Sequence, residues 1–273
     1  NPFKRTLQEE EIIELAHGAV GMIAGTEPLN ARVLSRLPKL KVISRCGVGQ
    51  DNVDLVYAQK NGIKVFTTPE GPTDAVAELT VGVILNLLRR VSSMHEQLKK
   101  GIWQKEMGHL LKGKTVGIVG FGRIGQKVAQ LLYSFKVDVL YYDVRRIKSL
   151  RSFKAVTLPD LLKKSDIVTL HMNADNQNGS FIGALQMKQM KKGSWLINMS
   201  RGGSVDEKAL YKALVTGHLS GAALDVFEKE PYHGPLAGLK QVVLTPHIGS
   251  YAKEARIQME IEAVDNLIGA LRG

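Results

Sequence analysis

Short apolar runs alternate with amphipathic stretches along nearly the whole of this 273-residue chain. In the first part, apolar runs at 20–24, 41–44 and 63–66 predict strands, and 31–37 and 55–61 carry helical spacing between them. Such a βα rhythm places consecutive strands parallel in one sheet. Ahead of them, Thr6 followed by Glu9 forms a capping-box pattern before Ile12, Ile13 and Leu15, which predicts an opening helix. An α/β domain ordinarily opens on a strand, so the expectation is that a leading strand is absent from this chain.

A long helical pattern over 73–91, and a second one reaching 100, interrupt the alternation. It resumes after Gly113-Lys114 with a strand at 116–120, a helix at 124–135 and a strand at 137–142. Further strand-like runs lie at 167–171, 194–199, 222–226 and 242–244, and a last helix at 251–271 has no strand after it. The fold class read from this is α/β with two parallel-sheet domains, the final helix returning to the first.

Where the second series begins, the turn reads Gly120-Phe121-Gly122-Arg123-Ile124-Gly125. Between a strand and a helix, this spacing is a dinucleotide fingerprint. The first glycine permits the tight turn, the second admits the pyrophosphate to the backbone, and the third lets helix and strand pack closely. Amides at the helix start, with the helix dipole, favour phosphate charge. Gly120, Gly122, Arg123, Ile124 and Gly125 are therefore the candidate cofactor residues. Asp143, closing the next strand, suits the adenosine ribose hydroxyls and disfavours a 2′-phosphate, so NAD is expected over NADP. Arg145 and Arg146 pull the other way, toward NADP.

Three more strand-like runs end in functional side chains: SWLINMSRGG in Arg201, GAALDVFEKEP in Glu230, and VVLTPHIG in His247. Strand carboxyl ends converge on the ligand crevice of an open α/β sheet. An imidazole there suits reversible proton transfer near neutral pH. A carboxylate partner fixes its tautomer, and a guanidinium fork binds a 2-keto or 2-hydroxy carboxylate. The set points to alcohol–ketone oxidoreduction on a small anion.

Composition narrows the alternatives. The net charge is +11, but the basic residues are scattered and aromatics make up only 6%, so nucleic acid is not the expected partner. The basic surface instead suits anionic substrates. The apolar stretch around 79–88 is too short and too polar to be expected to span a membrane. A single cysteine, Cys46, excludes an internal disulfide and fits a cytoplasmic location. No metal site is expected.

The motifs CGVGQDNVD (46–54), DAVAELTVGVILNLLR (74–89), GKTVGIVGFGRIG (113–125), INMSRGGSVDEKAL (197–210), GAALDVFEKEP (221–231) and LTPHIG (244–249) extend over almost the whole chain. Through them the chain resembles the D-isomer-specific 2-hydroxyacid dehydrogenases, most of all the phosphoglycerate dehydrogenase-like members. The resemblance implies two Rossmann/flavodoxin-like domains with a cleft between them. Residues 1–74 and 249–273 would form a discontinuous substrate domain and 75–248 the NAD domain. It makes Arg201 the substrate-orienting arginine, Glu230 the partner of His247, and His247 the acid/base. Asp225 would bind the nicotinamide carboxamide, and the Val48-Gly49 amides the substrate carboxylate. The helix after Thr73 would help form a homodimer.

Two departures bear on the resemblance. The family's H-x-P-x-T reads His171-Met172-Asn173-Ala174-Asp175 here, so the loop is expected to differ and His171 to be structural or loop-orienting. Arg45 matches a phosphate-holding position, but Ala24-Gly25-Thr26 lacks the arginine that some phosphoglycerate enzymes carry there. The substrate therefore stays open between 3-phosphoglycerate/3-phosphohydroxypyruvate and glycerate/hydroxypyruvate or glyoxylate. A relative of another class, an NAD-sensing corepressor, would share the motifs without turnover. A carboxy-terminal regulatory domain is not expected.

Overall fold

Continuous apolar runs bounded by glycine and polar turns become fully buried parallel strands when helices cover both sheet faces. The computed structural model describes residues 1–3, 5–145, 147, 153–172 and 179–272. The chain divides into two units, Asn1–Ala75 with Ser250–Gly273, and Val76–Gly249.

In the first unit the order is α1 (Glu9–Leu15), β1 (Gly21–Ala24), α2 (Ala31–Ser35), β2 (Val42–Arg45), α3 (Leu55–Lys60) and β3 (Lys64–Thr67). The three strands form a parallel sheet in the order β1-β2-β3, with Gly21 beside Val42 and Val42 beside Lys64. Ile12, Val33, Leu34, Leu37 and Ile43 make its core. The C-terminal helix, Lys253–Arg272, packs against this same sheet, burying Met259 and Ala263 beside Cys46. Asn266 donates to the Thr67 carbonyl at 3.1 Å. That explains why the last helix needs no strand after it.

The opening cap differs from the Thr6–Glu9 reading. The helix starts two residues later than a Thr6 cap would place it, with Gln8 as the cap, and Glu11 Oε2 accepts from the Gln8 amide at 2.8 Å. Arg5 holds that carboxylate and is the main cause that lowers its pKa to about 2. The acid chosen at the third helical position is the one an arginine fixes.

The second unit is entered through α4 (Gly71–Arg89), followed by α5 (Val91–Lys99). The single pattern over 73–91 breaks at Arg90, which adopts the left-handed region at φ 52°. Asn86 closes over the break, accepting from the Ser92 amide at 2.9 Å and donating to its hydroxyl at 2.6 Å. Helix α4 also corrects the membrane reading: at 19 residues and mean hydropathy 1.2 it is long and apolar enough to span a bilayer by length and composition alone. Here its residues Ala77, Ile84 and Leu88 are buried in the second unit's core.

The sheet of this unit uses β4 (Thr115–Val119), β5 (Asp138–Tyr142), β6 (Lys154–Ala155), β7 (Ile167–Leu170), β8 (Ser194–Asn198), β9 (Leu219–Leu224) and β10 (Val242–Leu244). Helices α6 (Arg123–Tyr133), α7 (Leu158–Lys164), α8 (Ala184–Gln189) and α9 (Glu207–Val215) connect them, and the C-terminal helix is α10. All seven strands are parallel, in the order β10-β9-β8-β7-β4-β5-β6. The two-residue β6 has no counterpart in the sequence reading. Chain order reverses direction at β4, which makes its carboxyl end the switch point where doubly wound sheets bind ligands. Every residue of β7 and β8 is buried, so the loops leaving them are carried on rigid strands.

Candidate active site

The fingerprint turn leaves the switch-point strand β4 and opens α6. Gly120 sits at φ +87°, and a Cβ there would lie 2.7 Å from the His171 carbonyl. At Gly125 a Cβ would meet the Gly120 oxygen at 2.1 Å. At Gly122 the nearest atom would be Arg145 Nη2, 3.8 Å away, so the turn is closed on its inner side and open at its middle glycine. A backbone stripped of side chains above a helix N-terminus fits a pyrophosphate. Arg123 and Ile124 form the first turn of that helix.

Asp143 follows β5 and turns its carboxylate back to this loop. Oδ2 accepts from the Phe121 amide at 2.8 Å, and Oδ1 from the Arg145 amide at 2.9 Å. Its side chain is only 7% exposed, while the ion-paired Arg145 is 72% exposed. Arg146 lies outside the described residues, as do Asn173, Ala174 and Asp175 of the departed loop motif. His171, beside Gly120, bonds Thr169 Oγ1 through Nε2 at 2.9 Å, and burial lowers its pKa to about 3. It is a neutral imidazole behind the turn.

Arg201, Glu230 and His247 follow the adjacent strands β8, β9 and β10, all at their carboxyl ends. His247 Nδ1 lies 2.9 Å from Glu230 Oε2, which leaves Nε2 as the ring nitrogen able to meet a substrate. With the carboxylate ionised, Nδ1 carries the proton in this contact. Glu230 Oε1 is engaged too, accepting from the Phe227 amide at 3.1 Å. His247 has φ 53°, a left-handed conformation that costs a non-glycine residue about 1–3 kcal/mol and must be held by its surroundings.

What holds it is Asp225. This buried carboxylate accepts from Thr245 Oγ1 at 2.6 Å, from the Ile248 amide at 2.8 Å and from the Gly249 amide at 2.7 Å. It grips the chain on both sides of the histidine. The resemblance gives Asp225 to the nicotinamide; in the structure both its oxygens serve the His247 loop.

Arg201 is carried by a second buried polar group, Asn198, which the sequence reading did not single out. Asn198 Nδ2 donates to the Arg201 carbonyl at 2.9 Å, and Oδ1 accepts from the Ser200 amide and hydroxyl at 3.1 and 2.8 Å. The arginine donates through Nη1 to the Ser200 carbonyl at 2.8 Å. Next to it, Gly202 lets two loops touch backbone to backbone: a Cβ there would lie 1.8 Å from the Phe227 oxygen. Gly202→Ala is therefore expected to displace the Glu230 loop, destabilising by about 1–3 kcal/mol. Thermal melting and kcat measured together should both fall.

In the first unit, the loop after β2 is pinned by Thr68, whose Oγ1 accepts from the Gly47 amide at 2.7 Å. Gly49 is buried and Val48 half-buried on this loop. Arg45 does not extend from it; its guanidinium folds over Gly47 and donates to the Cys46 carbonyl at 3.1 Å. Among the described residues no cluster of His, Cys, Asp and Glu has metal-binding form.

Residues 81–249 match the family model for the D-isomer specific 2-hydroxyacid dehydrogenase NAD binding domain. The chain belongs to that family. It is thus an oxidoreductase interconverting small D-2-hydroxyacids and their 2-keto acids, and it binds NAD(H). It is 44% identical over 260 residues to a glyoxylate reductase of Thermofilum pendens, covering 91% of this chain and 77% of that protein. A D-3-phosphoglycerate dehydrogenase of Methanocaldococcus jannaschii is 38% identical, over 98% of this chain and 52% of that longer one. Among solved structures, D-lactate dehydrogenase from Aquifex aeolicus, complexed with NAD and lactic acid, superposes with TM-score 0.85 at 32% identity. That match covers 95% of this chain and 86% of the other.

Proposed function

We propose that this chain interconverts an unphosphorylated short 2-keto acid, glyoxylate or hydroxypyruvate, with its D-2-hydroxyacid, using NAD(H). The observation that carries the reading is the 2.9 Å pair of His247 with Glu230, on strand ends neighbouring the one that carries Arg201. In the reduction, His247 Nε2 gives a proton to the C2 oxygen, while Glu230 stabilises the imidazolium beforehand and orients the ring. Arg201 holds the substrate carboxylate and polarises the carbonyl. The resemblance adds the Val48 and Gly49 amides as carboxylate donors. Bound NADH supplies the hydride that C2 receives; Gly120, Gly122, Arg123, Ile124 and Gly125 would hold it.

Two observations favour an unphosphorylated substrate. Arg45, the candidate phosphate ligand, is folded onto its own loop, and the 44% relative is named a glyoxylate reductase. The 38% phosphoglycerate dehydrogenase relative supports the second reading, 3-phosphohydroxypyruvate. Steady-state rates with glyoxylate, hydroxypyruvate, pyruvate and 3-phosphohydroxypyruvate decide between them. A kcat/KM highest for the phosphorylated acid would overturn the first reading, and tight NAD binding without any turnover would favour the NAD-sensing one.

NAD rather than NADP is proposed from Asp143, whose carboxylate stands where a 2′-phosphate would bring a second negative charge. Asp143→Ser removes that charge beside Arg145. The expected outcome is at least a tenfold shift of the NADH/NADPH ratio in kcat/KM toward NADPH, equivalent to about 1.4 kcal/mol. An unchanged ratio would contradict it. Exposed Trp103 and Met107, 81% and 91% accessible, support the proposal of a homodimer, and the single cysteine supports a cytoplasmic setting.

A further inference from the structure

We infer that Glu207 is a positioning residue for proton transfer, anchoring the loop that presents Glu230 to His247. The inference rests on the assignment of that pair to proton transfer. Glu207 is the first residue of α9, directly after its cap Asp206, which accepts from the Ala209 amide at 2.9 Å. The cap fixes the helix start, so the neighbouring carboxylate projects from a rigid place. Its Oε1 accepts from the Glu228 amide at 2.8 Å.

The bond matters because of where Glu228 lies. The loop from Asp225 to Glu230 leaves β9 without entering a helix or strand, so its backbone amides depend on side-chain acceptors. One amide, that of Phe227, is taken by Glu230 Oε1 at 3.1 Å. The next, that of Glu228, is taken by Glu207. Gly202 presses on the Phe227 carbonyl from the same stretch of chain between β8 and α9. Phe227 in turn stacks on Tyr232, ring centroids 4.4 Å apart, beyond the far end of the loop. The loop is thus clamped on the side of α9 at residues 227 and 228, and Glu230 is tied to it through the Phe227 amide. Its other oxygen reaches His247 at 2.9 Å, a distance set by where the clamp leaves the backbone.

Glu207 itself touches none of the three catalytic candidates in these bonds. Its carboxyl lies above the ordinary range chiefly because of burial, with the Glu228 amide opposing the shift. The side chain is needed as an acceptor, and glutamine keeps an acceptor at the same reach. This separates the role from one that depends on charge.

The test compares Glu207→Ala, Glu207→Asp and Glu207→Gln in the full chain, with NADH and glyoxylate. Misplacing a reacting group by about 1 Å costs up to a hundredfold. For Glu207→Ala we expect kcat to drop roughly tenfold or more while KM for NADH stays within about twofold. Glu207→Gln should restore most of kcat. Glu207→Asp, one methylene short of the amide, should lose kcat while melting close to wild type, and it decides the matter if Glu207→Ala fails to fold. Wild-type kcat in the folded alanine or aspartate variant would overturn the inference, as would a glutamine variant as impaired as the alanine one. His247→Ala in the same assay separates the two claims: full activity there strikes the proton-transfer assignment, whereas its loss with an inert Glu207 strikes only the anchor.

Discussion

His247→Ala is expected to lower kcat by 10²–10⁴-fold, about 3–5 kcal/mol of barrier, with NADH affinity and melting temperature near wild type. In the proposed mechanism the imidazole is the group that gives and takes the proton at C2, as histidine chemistry allows near neutral pH. The size of the loss follows from replacing a positioned acid with water. Fold should survive because the ring side chain is half exposed, 49% accessible, and its partner Glu230 is 39% accessible and able to find solvent. The Glu230 partnership makes a second point measurable. Glu230→Gln keeps a group near Nδ1 but removes the charge that stabilises the imidazolium, so its loss of kcat should be smaller than that of His247→Ala.

Asp225→Ala should have the largest combined effect on stability and activity. It removes the acceptor for the buried Gly249 amide, the part-buried Ile248 amide and the Thr245 hydroxyl. Leaving such donors unsatisfied costs about 1–3 kcal/mol each, so a destabilisation of about 3 kcal/mol or more is expected. The same loss frees His247 from its left-handed conformation, and kcat should fall by at least a hundredfold in whatever fraction stays folded. Denaturant unfolding and active-site titration of the variant check the two parts. Asp225→Asn, which keeps an acceptor at this position, should be milder on both measures. If instead Asp225→Ala weakened NADH binding and left melting unchanged, the aspartate would be a cofactor ligand and not the anchor of the loop.

Much of this was legible because periodicity and turn chemistry act locally. Strands β4, β7, β8 and β9 are continuous apolar runs, and burial on both faces is what a parallel central strand requires. The glycine fingerprint announces itself because only glycine fits at Gly125, where a Cβ would lie 2.1 Å from the Gly120 oxygen. The boundaries of α4 were less legible. Its end at Arg90 depends on Asn86 bonding Ser92 across the break, a choice between competing polar partners that no spacing rule encodes. The same holds for the Gln8–Glu11 cap, selected by Arg5.

The site shows a similar division. Arg201, Glu230 and His247 could be picked out as polar residues closing apolar runs. Asn198, Gly202 and Glu207 could not, although each stands in or beside the same strand ending. Asn198 reads as the last residue of a buried strand and Glu207 as an ordinary first-turn acid. The roles of Gly202 and Glu207 exist only once β8 and β9 lie side by side and bring the Arg201 loop against Phe227 and Glu228, whereas Asn198 acts locally on Ser200 and Arg201. Arg45 shows the converse: its position suggests a phosphate ligand, and what the structure adds is a donor bond from its Nη1 to the Cys46 carbonyl.

The most direct test of the central claim is NADH oxidation by the purified chain with hydroxypyruvate, followed by chiral analysis of the product. The account predicts turnover with one NADH consumed per glycerate formed, all of it the D-isomer. NADH binding with no turnover on hydroxypyruvate or glyoxylate, or formation of the L-isomer, would contradict it.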